Sequence, residues 1–239
     1  WNTVTNVYDP ATAAFSRFCS ADLPTPNALF NTVSGNGTTE KIFLNGEESG
    51  NEGRQFAHIV TGVDAGKSYE LPFLGNAGWE NSVMNPTMQD KTIVAETDDN
   101  TINGQVYFYI GTKTNIGSEI EKAGLAGGNL FGLQVSGLTS EISGSVPAPN
   151  TAFSLINLGT VQNLTGATLN TNSIAAGVTN FLRPEDGAWD PSNLSVFYFV
   201  TTNSFTSPSR LWKMEFSDIT NPELGGTITA VLDLSLIHI

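Results

Sequence analysis

The chain has 239 residues, 39% of them hydrophobic, which is enough to bury a sizeable core in one large domain or two small ones. Charged residues make up only 14%, and 23 acidic against 10 basic residues leave a net charge of −13. That balance argues against nucleic-acid binding through phosphate neutralisation, and no apolar run reaches the roughly 18 residues of a membrane-spanning helix.

The chain opens at Trp1 inside sequence that already looks like a domain, so it reads as a fragment or processed product. Cys19 is the only cysteine, which excludes an intrachain disulfide. A lone cysteine usually packs as a small hydrophobe. Short β-rich runs follow: "KIFLNG" (41–46), "QFAHIVTG" (55–62), "KTIVAET" (91–97), "GQVYFYIG" (104–111), "NLFGLQVSG" (129–137), "SVFYFVTT" (195–202) and "RLWKMEF" (210–216). Val, Ile, Phe, Tyr and Thr fill them, and Gly, Asn, Asp and Pro punctuate the gaps. Only "SEIEKAGL" (118–125) and "TAFSLINLG" (151–159) hint at helix, and the polar stretch 140–180 reads as loop or irregular β. The closing "LSLIHI" (234–239) reads as a non-native tail, which leaves 1–233 as the domain. The fold class is all-β.

An internal echo chooses between a sandwich and a propeller. In "WENSVMNPTMQDKTIVAETDD" and in "RPEDGAWDPSNLSVFYFVTT" a Glu (Glu80, Glu185) precedes a Pro (Pro86, Pro191) by six residues. A hydrophobic strand ending in Thr follows in each, then a polar loop and a second strand. A looser third copy surrounds Glu47 and Glu48. Repeats of strand, turn and strand with the acid at one end are the signature of β-propeller blades, here several four-stranded blades of a larger, incomplete propeller. Glutamates at equivalent places would then converge on the axis.

Converging carboxylates repel one another unless a cation sits among them, and calcium takes six to eight oxygen ligands. Glu80 and Glu185 are therefore candidate metal ligands. Only one of the neighbours Glu47 and Glu48 normally faces a given site, because adjacent strand residues point to opposite faces. The knot "AETDDN" (95–100) supplies Asp98 as a further candidate, with a polar turn as its plain alternative. Arg183, two residues before Glu185, could hold a phosphate or carboxylate by parallel hydrogen bonds, or simply form a structural ion pair under a turn. His58 reads as a packed histidine. The motifs of zinc peptidases, serine hydrolases, P-loop proteins and dinucleotide-binding proteins are missing from the sequence.

These residues resemble the PhoX-type alkaline phosphatases, a family of secreted bacterial propeller enzymes. "FLRPEDGAWDP" is similar to that family's RPED-x-x-W-D-P segment. "WENSVMNP…TIVAETDD…GQVYFYIG" and "FCSADLPTP…EKIFLNGEE" are similar to two others in the family's order, so the resemblance runs over roughly residues 15 to 233. It implies a calcium- and iron-dependent phosphomonoesterase of the periplasm or exterior, acting on small phosphomonoesters. In that picture Cys19 helps to hold iron, Glu80 and Glu185 are inward metal ligands, Glu47 or Glu48 completes the cage, and Arg183 holds the phosphate. Two departures stand out: Trp79 where the family has His, and Gly46 where its "CEE" has Cys. A calcium-stabilised propeller without catalysis, or a lactonase- or phytase-like hydrolase, is the alternative expectation.

Overall fold

The computed structural model describes residues 1–12, 14–100, 103–141, 146–204 and 207–233. The expected tail at 234–239 lies outside the described residues. In chain order the strands are β1 (Phe18–Asp22), β2 (Phe30–Asn31), β3 (Asn36–Gly37), β4 (Ile42–Glu47), β5 (Gln55–Ile59) and β6 (Ser68–Glu70). Next come β7 (Trp79–Met84), β8 (Lys91–Asp98), β9 (Val106–Thr112), β10 (Asn129–Val135) and β11 (Thr151–Gly159). The last four are β12 (Pro184–Trp189), β13 (Val196–Ser204), β14 (Ser207–Phe216) and β15 (Gly226–Asp233). Among the described residues three α-helices interrupt them: α1 (Pro26–Leu29), α2 (Glu119–Lys122) and α3 (Gly166–Ala176).

The pairing yields three antiparallel four-stranded blades: β1-β4-β5-β6, β7-β8-β9-β10 and β12-β13-β14-β15. The small β2-β3 hairpin stands apart from them. β11 pairs with β10 on one side and β15 on the other, so it staples the outer edges of the second and third blades into one nine-stranded sheet. At the other edge β7 packs between β1 and β12. The all-β, propeller-like fold expected from the repeat is the fold observed.

The two blade interfaces are the two cores. Alternate residues of a strand face opposite sides, so β8 and β9 feed both. Val94, Tyr107 and Tyr109 face the first blade, against Ile42, Leu44, Ala57 and Ile59. Ile93, Ala95, Phe108 and Ile110 face the third, against Phe197, Phe199, Trp212 and Phe216. The Phe108 ring lies 6.0 Å from Phe197 and 5.3 Å from Phe216, edge to face. Such pairs contribute about 0.5–1.5 kcal/mol each beyond area burial. Double-sided burial is why these strands read as continuous apolar runs.

Three details differ from the sequence reading. "TAFSLINLG" is strand β11, because its Phe153 and Leu155 pack into the second core and its backbone pairs on both sides. α3 forms inside the stretch taken as irregular, with Thr165 capping it by accepting from the Thr168 N–H, and Gly177 closing it at φ 86°. The Glu52 carboxylate also accepts from the N–H groups of Gly166 and Ala167 at its first turn. Finally, "RPEDGAWDP" opens an inner strand rather than a tight turn, since a proline is accommodated as the first residue of a strand at a sheet edge. Among the described residues, no helix is long and apolar enough to cross a membrane.

Candidate metal centre

Each blade begins with an inner strand, and the second residue of each is chemically distinctive: Cys19 in β1, Glu80 in β7 and Glu185 in β12. At each of these places the register with the next strand breaks, between Phe18 and Ala21, Trp79 and Asn81, and Pro184 and Gly187. A bulge re-aims the side chain beside it. Three equivalent bulges thus turn three side chains out of the strand alternation. The Asn81 amide donates to the Asp186 carboxylate, and the Trp189 indole N–H to the Val83 carbonyl at 3.1 Å, fixing β7 against β12.

The side chains so presented form two groups with a common member. Donor atoms of Cys19, Glu48 and Glu80 lie within 4.8 Å of one another, and so do those of Glu80, Asp99 and Glu185. The Cys19 Sγ is 3.0 Å from Glu80 Oε2, and the Ser20 hydroxyl donates to Glu80 Oε1 at 3.0 Å. Asp99 follows the end of β8, where its N–H donates to the Gly78 carbonyl at 2.8 Å. Thr202 donates its hydroxyl to Glu185.

Arg183 stands at the edge of the second group. Its Nε and Nη2 each donate to an Asp99 oxygen at 2.8 Å, and Nη2 lies 3.0 Å from Glu185 Oε1. Its Nη1 donates to no group among the described residues. Arg183 also has φ 56°, in the left-handed region, which costs a non-glycine residue about 1–2 kcal/mol. On the other flank the exposed Arg17 reaches Glu48 Oε1 at 2.6 Å.

Crowded, partly desolvated carboxylates make this a poor place for further negative charge. Burial and the hydrogen bond to Glu80 push the Cys19 thiol up to about 12. Burial likewise raises the Glu185 carboxyl, and the Asp99 charge adds to it. A cation would reverse both effects, so the donor set fits a metal. Glu80, Asp99 and Glu185 offer oxygen alone, which suits a hard cation; Cys19 adds a sulfur donor to Glu48 and Glu80, which suits a softer transition metal.

The structure brings Cys19, Glu48, Glu80, Glu185 and Arg183 together, and leaves two sequence candidates outside. Glu47 is 2% exposed and meets Arg54, with Oε1 2.7 Å from Nη2 and Oε2 2.8 Å from Nε, and the Ser16 N–H donates to it. Burial pushes its carboxyl upward, but these donors outweigh that and hold it below the usual carboxylate range. Asp98 points into the protein, accepting from the Gly78 N–H and the Asn100 amide, and burial pushes it up to about 7. Asp99 joins the second donor group instead, a residue that the sequence reading does not single out. Both faces of β8 are buried, so alternation of apolar and polar residues could not tell Asp98 from Asp99. His58 is packed as expected, with Nδ1 2.7 Å from Ser68 Oγ and Nε2 2.9 Å from Asn45 Oδ1.

No family model matches the chain, and no curated protein does. Among solved structures it is similar to Pseudomonas fluorescens PhoX in complex with vanadate, a transition state analogue, with a TM-score of 0.51 and 12% identity. The chain shares a fold with PhoX. The match covers 73% of this chain and 38% of that one. At this identity the PhoX-like relationship is one of fold and is distant.

Proposed function

We propose that the chain carries the axial site of a metal-dependent phosphomonoesterase of the PhoX type, working outside the cytoplasm. The observation that carries this reading is the shared carboxylate: Glu80 belongs to both donor groups, and Arg183 stands beside the second. Glu80, Asp99 and Glu185 would hold calcium, and Cys19, Glu48 and Glu80 would hold iron. When bound, these ions would supply Lewis-acid polarisation of a phosphoryl oxygen. The chain's own part is to bind and orient. Arg183 offers its Nη1 edge to a phosphate oxygen, while Asp99 and Glu185 fix the plane of the guanidinium. Charge that builds on the phosphoryl oxygens then meets a preorganised cation instead of water.

The vanadate complex of PhoX supports a phosphate-like ligand for this architecture. The test is hydrolysis of p-nitrophenyl phosphate by the protein supplied with calcium and iron. The reading expects turnover that EDTA abolishes and that Arg183→Ala reduces at least tenfold. Turnover indifferent to EDTA, or none in folded, metal-loaded protein, contradicts it. A calcium-stabilised module without catalysis is favoured by one observation, the two-pronged Arg183–Asp99 contact, which already satisfies much of the guanidinium. That alternative expects calcium to raise Tm while phosphate does not bind.

A further inference from the structure

We infer that Glu141, remote in sequence from the axial site, is a positioning residue for Arg183. This rests on the reading of Arg183 as the residue that receives the phosphate. Arg183 meets Asp99 and Glu185 from a left-handed backbone conformation, and something must hold the chain there. Glu141 is 1% exposed and accepts from three directions. Its Oε2 takes the N–H of Leu182, the residue just before Arg183, at 2.9 Å. Its Oε1 takes the Thr201 hydroxyl at 2.9 Å and Arg210 Nη1 at 2.6 Å.

The surrounding backbone bonds tighten the same segment. The Glu141 N–H donates to the Asn180 carbonyl at 2.7 Å, and the Phe181 N–H to the Gly104 carbonyl at 2.7 Å. On the far side of the kink the Thr202 N–H donates to the Arg183 carbonyl at 3.1 Å. Residues 180 to 183 are thus held one after another, and among the described residues the Glu141 carboxylate is the side chain that takes a backbone N–H of this segment. Thr201 connects it to the core, since its hydroxyl oxygen accepts from the Trp212 indole at 3.2 Å. A carboxylate that merely neutralised Arg210 would have no need of the Leu182 N–H.

Two double variants separate positioning from charge pairing. Glu141→Ala with Arg210→Met removes the buried Glu141–Arg210 pair together and strips the Leu182 N–H of its acceptor, while the Asp233 contact 3.6 Å from Arg210 Nε is lost alike in both double variants. Glu141→Gln with Arg210→Met removes the same charges and keeps an amide oxygen for that N–H. Inorganic phosphate binding to calcium-loaded protein is measured by calorimetry, and amide exchange at Leu182 and Arg183 by NMR. The inference expects the Ala variant to bind phosphate at least tenfold more weakly, with calcium affinity within twofold of the parent. It also expects at least tenfold faster exchange at Leu182, and the Gln variant to recover most of both. Equal behaviour of the two double variants, in either direction, overturns the positioning role. If the parent itself binds no phosphate, the proposed function fails, and the exchange rates still decide whether Glu141 holds the kink.

Discussion

Glu80 and Glu185 hold the same place in two neighbouring blades, second in the inner strand and beside a break in register, with carboxylate oxygens no more than 4.8 Å apart. Two carboxylates so close, with Asp99 beside them and Arg183 Nη2 3.0 Å from Glu185, form a candidate site whose occupancy should depend on each of them. Glu185→Gln is expected to weaken calcium binding at least about tenfold, since even partners that only support metal ligands matter by that much. Isothermal calorimetry measures it, and unchanged affinity would remove Glu185 from the site.

Calcium should act on stability as well. A ligand bound only by the folded state, at a hundred times its Kd, adds about 2.7 kcal/mol. For a chain of this size that raises Tm by roughly 5–10 °C. A thermal melt with calcium and with EDTA tests this, and coincident curves would count against any folded-state calcium site.

The Cys19 thiol, pushed up to about 12, should stay protonated at neutral pH in metal-free protein. Alkylation by iodoacetamide at pH 8 is then much slower than for free cysteine, because the thiolate is the nucleophile. Rapid alkylation of metal-free protein would show that burial and Glu80 do not burden the thiol as the geometry indicates.

Glu96 is fully buried against the first blade, and neither carboxylate oxygen has a hydrogen-bond partner among the described residues. Burial raises its carboxyl well above the ordinary value. A folded-state value above the unfolded one means stability that is complete at acid pH and declines as pH rises. Asp22, raised by burial to about 6, acts in the same direction between about pH 4 and 6. Glu96→Gln should therefore melt higher than the parent at pH 8 and close to it at pH 4. A variant less stable than the parent at pH 8 would mean that ionised Glu96 is stabilised by a partner.

Gly46 marks where the first blade meets the second. A Cβ there would lie 2.4 Å from the Trp79 Cβ, so the backbones of β4 and β7 approach too closely for any side chain. Gly46→Ala is expected to destabilise by about 1–3 kcal/mol, the usual range for overpacking, read as a lower urea midpoint. A neutral result would show that the interface yields easily.

The sequence carried the blades well. The Glu-to-Pro echo at Glu80 and Glu185 is the repeat of β7 and β12, and the apolar runs became the strands that face two cores. The inner strand around Cys19 was harder to see, since β1 is short and only partly buried. The choice of Asp99 over Asp98 depends on where β8 ends, and that of Glu48 over Glu47 on an ion pair with Arg54, seven residues ahead. Glu141 lay hidden in a polar stretch because its partners, Leu182, Thr201 and Arg210, are distant in sequence. Contacts of that range leave no local pattern to read.

The most direct measurement is calcium titration of metal-free protein and of Glu80→Gln by calorimetry. If Glu80 joins the two donor groups, the parent binds calcium and the variant loses at least tenfold in affinity while keeping its fold by circular dichroism. Equal binding by both, or no heat from a folded parent, would contradict a cation site at the inner strands.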